Sequence, residues 1–221
     1  MNLHRRLAVP LLAIAVLMAA GACQVPGLPK SADAIYGDAR AAVGSSISYR
    51  LSVVLTLTGS RQRYNLTVAR SGSSSGTLEI NGTAVDVIQT AGKTYLKGKA
   101  FIATFGSADV AAQIGDRWVR TNSNPLGALD SLGPDRLAQT IKGKNSLQNG
   151  GDQTIDGAAV TKLYDKDGAI YVARTGKPYI LKVETAKQAR PGGLSDLVAD
   201  YSDYDKAKPD PAPASFIDVT H

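Results

Sequence analysis

Few side chains in this 221-residue chain are able to do covalent or acid–base chemistry. A serine, cysteine or threonine nucleophile needs an activating base held beside it. The two histidines are His4 and His221, close to the two termini, where chain ends are least fixed. Gly72-Ser-Ser-Ser-Gly76 matches the spacing of a nucleophile elbow with Ser74 at its centre, but that device requires a strand-to-helix turn, and a second strand follows here. The segment reads as a turn. Asp165-Lys-Asp167-Gly168 has the opening of a calcium loop without its third acidic ligand or closing Glu, so it reads as a hairpin turn. Zinc ligands are nearly absent, since Cys23 is the single cysteine. Glu79 and Glu184 stand far apart in sequence and would form a glycosidase pair only through the tertiary fold. Asp200 and Asp203 read as a solvated edge, and no glycine loop opens a helix to cradle phosphate. No enzyme, metal or cofactor is expected.

Cys23 carries the clearest chemistry. Met-Asn-Leu-His-Arg-Arg precedes an apolar run from Leu7 to Ala22, the pattern of a secretory signal. The run holds Pro10 and falls short of the roughly 20 apolar residues that span a bilayer. Ala20-Gly21-Ala22-Cys23 resembles the bacterial lipobox, which implies cleavage before Cys23, diacylglycerol and palmitate-type acylation there, and retention on the outer face of the cell membrane. Ala20 stands where leucine is commoner, and Arg5-Arg6 leaves the choice of export route open.

Loss of residues 1–22 leaves 199 of the 221, enough for one domain with a sizeable core. Basic and acidic residues change from 25 against 19 to 23 against 19, because Arg5 and Arg6 leave with the signal. A net charge of +4 with dispersed Lys and Arg predicts no nucleic-acid partner. With no second cysteine, the fold must stand on apolar burial, and a monomer is expected.

The elements follow from periodicity. Residues 1–22 are assigned to the signal, 23–30 to a lipidated N-terminus and tether, and 31–221 to a single domain. Ser31 to Val43 has helical spacing ending near Gly44. Ile47, Tyr49, Leu51, Val53, Leu55 and Leu57 then alternate with Ser, Arg and Thr, which predicts a long strand with one wet face. Alternating runs joined by Asn81-Gly82 and Gly92 continue an antiparallel meander. Ser107 caps a helix over 108–114, Asp116 to Thr121 reads as a strand holding Trp118, and Pro125 to Ile141 carries two apolar clusters at helical spacing. Asn149-Gly150-Gly151 releases the chain into a second meander through Asp156-Gly157 and Asp167-Gly168, with a last strand near Leu197 to Tyr204. After Lys208 three prolines predict an extended, unpacked tail. Helix, meander, helices and meander make an α+β fold.

Three segments then point to a family: Gly76 to Lys97, Asp116-Arg-Trp-Val119, and Asp156 to Leu163 with Tyr171 to Val183. Together they resemble the LppX/LprAFG lipoproteins of actinobacteria, within the LolA/LolB-like superfamily. The resemblance implies a strongly curved antiparallel half-barrel with helices on its concave face, enclosing an apolar cavity that accepts acyl chains of a lipid or lipoglycan. The candidate cavity-lining residues are Ile47, Tyr49, Leu51, Val53, Leu55, Leu57, Tyr95, Trp118, Tyr164 and Tyr171. The expected role is carriage of lipid between membrane and envelope. The alternative is an anchored interaction protein whose cavity is collapsed.

Overall fold

The computed structural model describes residues 30–122, 126–127, 129–143, 146–185 and 194–219. The signal, Cys23 and most of the tether lie outside them. The first helix, α1 (Ala32–Ser45), is capped by Ser31, whose Oγ accepts the Ala34 N–H at 3.2 Å. Ala32, Tyr36, Ala39 and Val43 recur every three or four residues and form its buried stripe.

A first meander follows: β1 (Ser48–Leu57), β2 (Ser60–Ala69), β3 (Ser74–Ile80), β4 (Thr83–Thr90) and β5 (Lys93–Lys97). Two short helices, α2 (Lys99–Phe105) and α3 (Ala108–Ile114), lead to β6 (Val119–Thr121). Then come α4 (Leu129–Leu132) and α5 (Pro134–Lys142), and the second meander: β7 (Gln148–Ile155), β8 (Ala158–Asp165), β9 (Gly168–Ala173), β10 (Ile180–Thr185) and β11 (Leu194–Ser202). A two-residue strand, β12 (Ile217–Asp218), ends the described chain.

The two meanders are one sheet. Strand β1 pairs with β2 on one side and β11 on the other, giving the order β12-β6-β5-β4-β3-β2-β1-β11-β10-β9-β8-β7. All these pairings are antiparallel except β12 on β6. The sheet curls into an open half-barrel with α1 and α5 on its inner face. Alternation fixes that face: Leu51, Val53 and Leu55 of β1, Tyr64 and Leu66 of β2, Leu78 of β3 and Val85 and Val87 of β4 join the α1 stripe and Leu137, Ala138 and Ile141 of α5 in one core. Each fully buried aliphatic contributes about 1.5–3 kcal/mol. Antiparallel α1 and α5 are also pinned at both ends, by Arg40 with Asp135 and Lys142 with Asp33.

Two glycines mark where backbones come too close for a side chain. A Cβ at Gly76 would sit 2.0 Å from the Asn65 carbonyl oxygen, and one at Gly168 2.1 Å from that of Glu184 and 2.6 Å from Ile141 Cδ1. Both have φ near +150°, which only glycine adopts readily.

Three local expectations need correction. Asn149-Gly150-Gly151 lies inside β7, where the register shifts against β8 and Asn149 Oδ1 accepts the Gly151 N–H at 2.8 Å; the glycines make a bulge rather than a break. Trp118 precedes β6 instead of lying within a strand. The proline-rich tail is extended but packed: it straps the outer face, the Asp210 N–H donating to Ser75 Oγ at 2.8 Å and Phe216 meeting Tyr95 edge-on at 5.1 Å. Its end adds β12 to the free edge of β6, with Asp218 paired to Arg120.

Candidate functional site

The concavity that fits this architecture lies between the inner face of β1–β4 and the helices. Tyr49, Val68, Ser74 and Gln89 are successive register partners across β1, β2, β3 and β4, so their side chains share one row on the inner face. Below that row, toward Leu51, Leu66, Leu78 and Val87, the interior is filled. At and above it a cavity of about 500 Å³ opens, roofed by Val43 and Ser46 at the end of α1 and by Leu126, Pro134 and Asp135 at the start of α5. Arg70 and Arg136 stand at its mouth.

The lining is apolar within and polar at the rim. Tyr49 is half-buried and packs on Tyr201 and Tyr204, with ring centroids 6.0 and 5.9 Å away. Tyr201 donates its hydroxyl to the Leu132 carbonyl at 2.8 Å, tying β11 to α4, and burial pushes its pKa well above the usual value. Ser74 is 1% exposed and its Oγ has no hydrogen-bond partner among the described residues. Tyr36, on the buried stripe of α1, also leaves its hydroxyl unpartnered there; burial, reinforced by the Asp135 carboxylate, pushes its pKa up to about 12.

One knot holds the rim. Asp205 Oδ1 accepts the Ile47 N–H at 2.8 Å, and Oδ2 accepts the Tyr179 hydroxyl at 2.5 Å and Lys177 Nζ at 3.1 Å. The Tyr179 hydroxyl, the Ile47 amide and the Lys177 ammonium, in that order of weight, hold the carboxyl down at about 2.

A larger concavity of about 860 Å³ lies on the opposite, outer face, between the β7–β8 hairpin tip and the C-terminal strap. Its lining mixes apolar side chains such as Leu66, Ile155 and Leu181 with paired polar ones: Arg50 pairs with Asp203 at 3.0 Å and the Ser52 hydroxyl donates to Asn65 at 2.9 Å. We take the smaller inner cavity as the candidate site, because it lies between the sheet and the helices and holds the buried Ser74 hydroxyl, which has no partner among the described residues.

The sequence-derived residues divide between the two faces. Ile47 and Tyr49 line the inner cavity, Ile47 being 60% exposed at its rim. Leu51, Val53 and Leu55 are buried in the core beneath it, while Leu57 at the far end of β1 is partly exposed. Tyr95, Tyr164 and Tyr171 belong to the outer face. Tyr95 meets the strap, and Tyr171, whose hydroxyl donates to Glu184 at 3.1 Å, lies with Val160 and Ala169 in a separate cluster against which Tyr164 packs. Trp118 is half-buried beside β6. Sequence reasoning passed over Ser74, Arg70 and Arg136 as binding groups; the register row through Ser74 is the signal that finds them.

The other candidates do not assemble. Ser74 lies within a strand, and neither histidine is among the described residues. Glu79 and Glu184 have three strands between them, roughly 19 Å along the sheet. The Asp167 N–H donates to Asp165 Oδ1 at 2.7 Å, closing a hairpin turn. Among the described residues, no group of three or more His, Cys, Asp or Glu gathers for a metal, and no helix is long and apolar enough to cross a membrane.

An open, curled antiparallel sheet with helices on its inner face and a cavity between them is the half-barrel architecture that the family resemblance implied. Among solved structures, the chain shares this fold with LprF of Mycobacterium bovis, at a TM-score of 0.60 and 14% identity over 83% of this chain and 97% of that one. It also resembles the lipoprotein LppX of Mycobacterium tuberculosis, at a TM-score of 0.50 and 14% identity over 83% and 99%. No protein-family model matches the sequence, and no curated protein matches it.

Proposed function

We propose that this protein is an exported lipoprotein, anchored through diacylglycerol on Cys23 to the outer face of the cell membrane, whose domain over 31–221 takes acyl chains of a lipid or lipoglycan into the inner cavity and carries them between membrane and envelope without catalysis. The observation that carries the reading is the cavity of about 500 Å³ where the apolar inner face meets a polar rim. Each methylene transferred into it is worth about 0.8 kcal/mol before the cost of association, so a chain of eight contributes about 6 kcal/mol. Tyr49 suits the boundary, an aromatic ring with one apolar side and one polar tip. Cys23 is seven residues from Lys30, a tether of at most about 25 Å to the start of α1. The cavity lies at the other end of that helix, about 20 Å farther, so it stays within about 45 Å of the bilayer that would supply its cargo.

The interaction-protein reading has its own support in the filled interior, where Val53, Val87, Ala39, Ala138 and Ile141 are wholly buried. Native mass spectrometry of protein purified from an actinobacterial host separates the two. Co-purified lipid, displaced by added fatty acid, supports carriage; an empty protein that also fails to bind a fluorescent fatty acid supports the interaction reading. Cys23→Ser is expected to release folded protein from the membrane, and continued membrane retention would contradict the anchor.

A further inference from the structure

Taking acyl carriage as its basis, the rim of the inner cavity says which lipids fit. Among the described residues, Arg40, Arg50, Arg63, Arg120 and Arg174 each hold an Asp or Glu within ion-pair distance. Arg70 and Arg136, the two that flank the cavity mouth, are exposed and have no carboxylate partner among the described residues. Among the described residues lining that mouth, the one acidic side chain is Asp135, which is already engaged, accepting from Arg40 Nε at 2.5 Å and Nη2 at 3.3 Å. The mouth is therefore electropositive. Just inside, Ser74 is buried with its hydroxyl unpartnered, an arrangement that is unfavourable unless a ligand atom completes it.

We propose that the cavity selects an anionic acyl lipid, its phosphate or carboxylate held by Arg70 and Arg136 and its first ester or carboxyl oxygen accepting a hydrogen bond from Ser74 Oγ, with the chain running inward past Tyr49. A guanidinium presents parallel N–H donors that match a phosphate or carboxylate edge, and charge-assisted bonds of this kind are about twice as strong as neutral ones. A neutral diacylglycerol offers the ester but no anion, so it is held by its chains and Ser74 alone.

The test uses the exported full chain carrying Cys23→Ser, titrated with dioleoylphosphatidylglycerol, oleate, dioleoylglycerol and inorganic phosphate, with binding read by native mass spectrometry and calorimetry at low and high salt. The expected result is that phosphatidylglycerol binds at least about tenfold more tightly than dioleoylglycerol, with the margin shrinking in high salt. Arg70→Gln with Arg136→Gln should erase the margin and leave dioleoylglycerol binding intact, which also shows that the variant is folded. Ser74→Ala should weaken every ester lipid several-fold. Equal affinity for the neutral and anionic lipids, or a preference that survives the double substitution, overturns the inference and leaves acyl carriage standing. Inorganic phosphate displacing phosphatidylglycerol outright overturns it too, since the chain would then contribute nothing. Binding of none of the lipids refutes both this inference and the carriage on which it rests.

Discussion

Gly168→Ala isolates what close packing, rather than turn geometry, demands of this fold. The new methyl would lie 2.1 Å from the Glu184 carbonyl oxygen, 2.9 Å from Thr185 Cα and 2.6 Å from Ile141 Cδ1. Ordinary contact needs about 3.4 Å or more, so β9 and β10 must part by more than 1 Å where Gly168 pairs with Thr185, and α5 must lift where Ile141 seals the inner face. The φ of +151° adds its own penalty of about 1–3 kcal/mol. Together these cost about 3–5 kcal/mol, a large share of a typical stability of 5–15 kcal/mol, or a Tm lower by about 10 °C or more for a domain of this size. Gly157→Ala is the control, because its φ is +80° and nothing lies within 4 Å of the added Cβ. Left-handed strain alone costs about 1–2 kcal/mol there. Urea and thermal unfolding of the two variants, followed by circular dichroism, should show Gly168→Ala the worse by at least about 2 kcal/mol. Equal losses would refute the claim that the β9–β10–α5 contact is what requires glycine at 168.

Three further outcomes follow from named contacts. The carboxyl of Asp205 is held at about 2, below the ordinary carboxylate value, so its stabilisation is present above about pH 4 and is lost as pH falls through 2; Asp205→Asn should flatten the fall in Tm between pH 4 and pH 2, and an unchanged acid profile would contradict the knot. Truncation after Lys208 removes the strap, uncovering Tyr95 and the β6 edge; light scattering should then show self-association, and a strictly monomeric truncate would count against the strap's shielding role. Tyr36→Phe deletes a buried hydroxyl that has no partner among the described residues, so Tm should hold or rise slightly; a loss above about 2 kcal/mol would show that the hydroxyl is bonded in solution.

Much of the half-barrel was legible because alternation is a direct readout of a sheet with one buried face. Leu51, Val53 and Leu55 point inward as their spacing requires, and Ser31 and Ser107 cap the helices they precede. The faces of Tyr95 and Tyr171 were not legible, since β5 and β9 are buried on both sides: one side by the core, the other by the strap or by the cluster around Val160. A strand covered on both faces has no polar phase to reveal its orientation. The tail misled for a related reason, as prolines report an extended backbone but not what it lies against. Nor is the charge state of the cavity mouth written locally. Asp135 is neutralised by Arg40, 95 residues away, and only that pairing leaves Arg70 and Arg136 to define the rim.

Lipid content of the native protein tests the account most directly. Protein purified from an actinobacterial host in a detergent that preserves bound lipid, then sprayed intact for native mass spectrometry, should carry one acyl lipid beyond any modification at Cys23, and Val43→Trp, which fills the roof of the inner cavity, should remove it while the fold persists. Protein recovered empty, and still unable to take up a fluorescent fatty acid, would contradict the claim that this half-barrel is a lipid carrier.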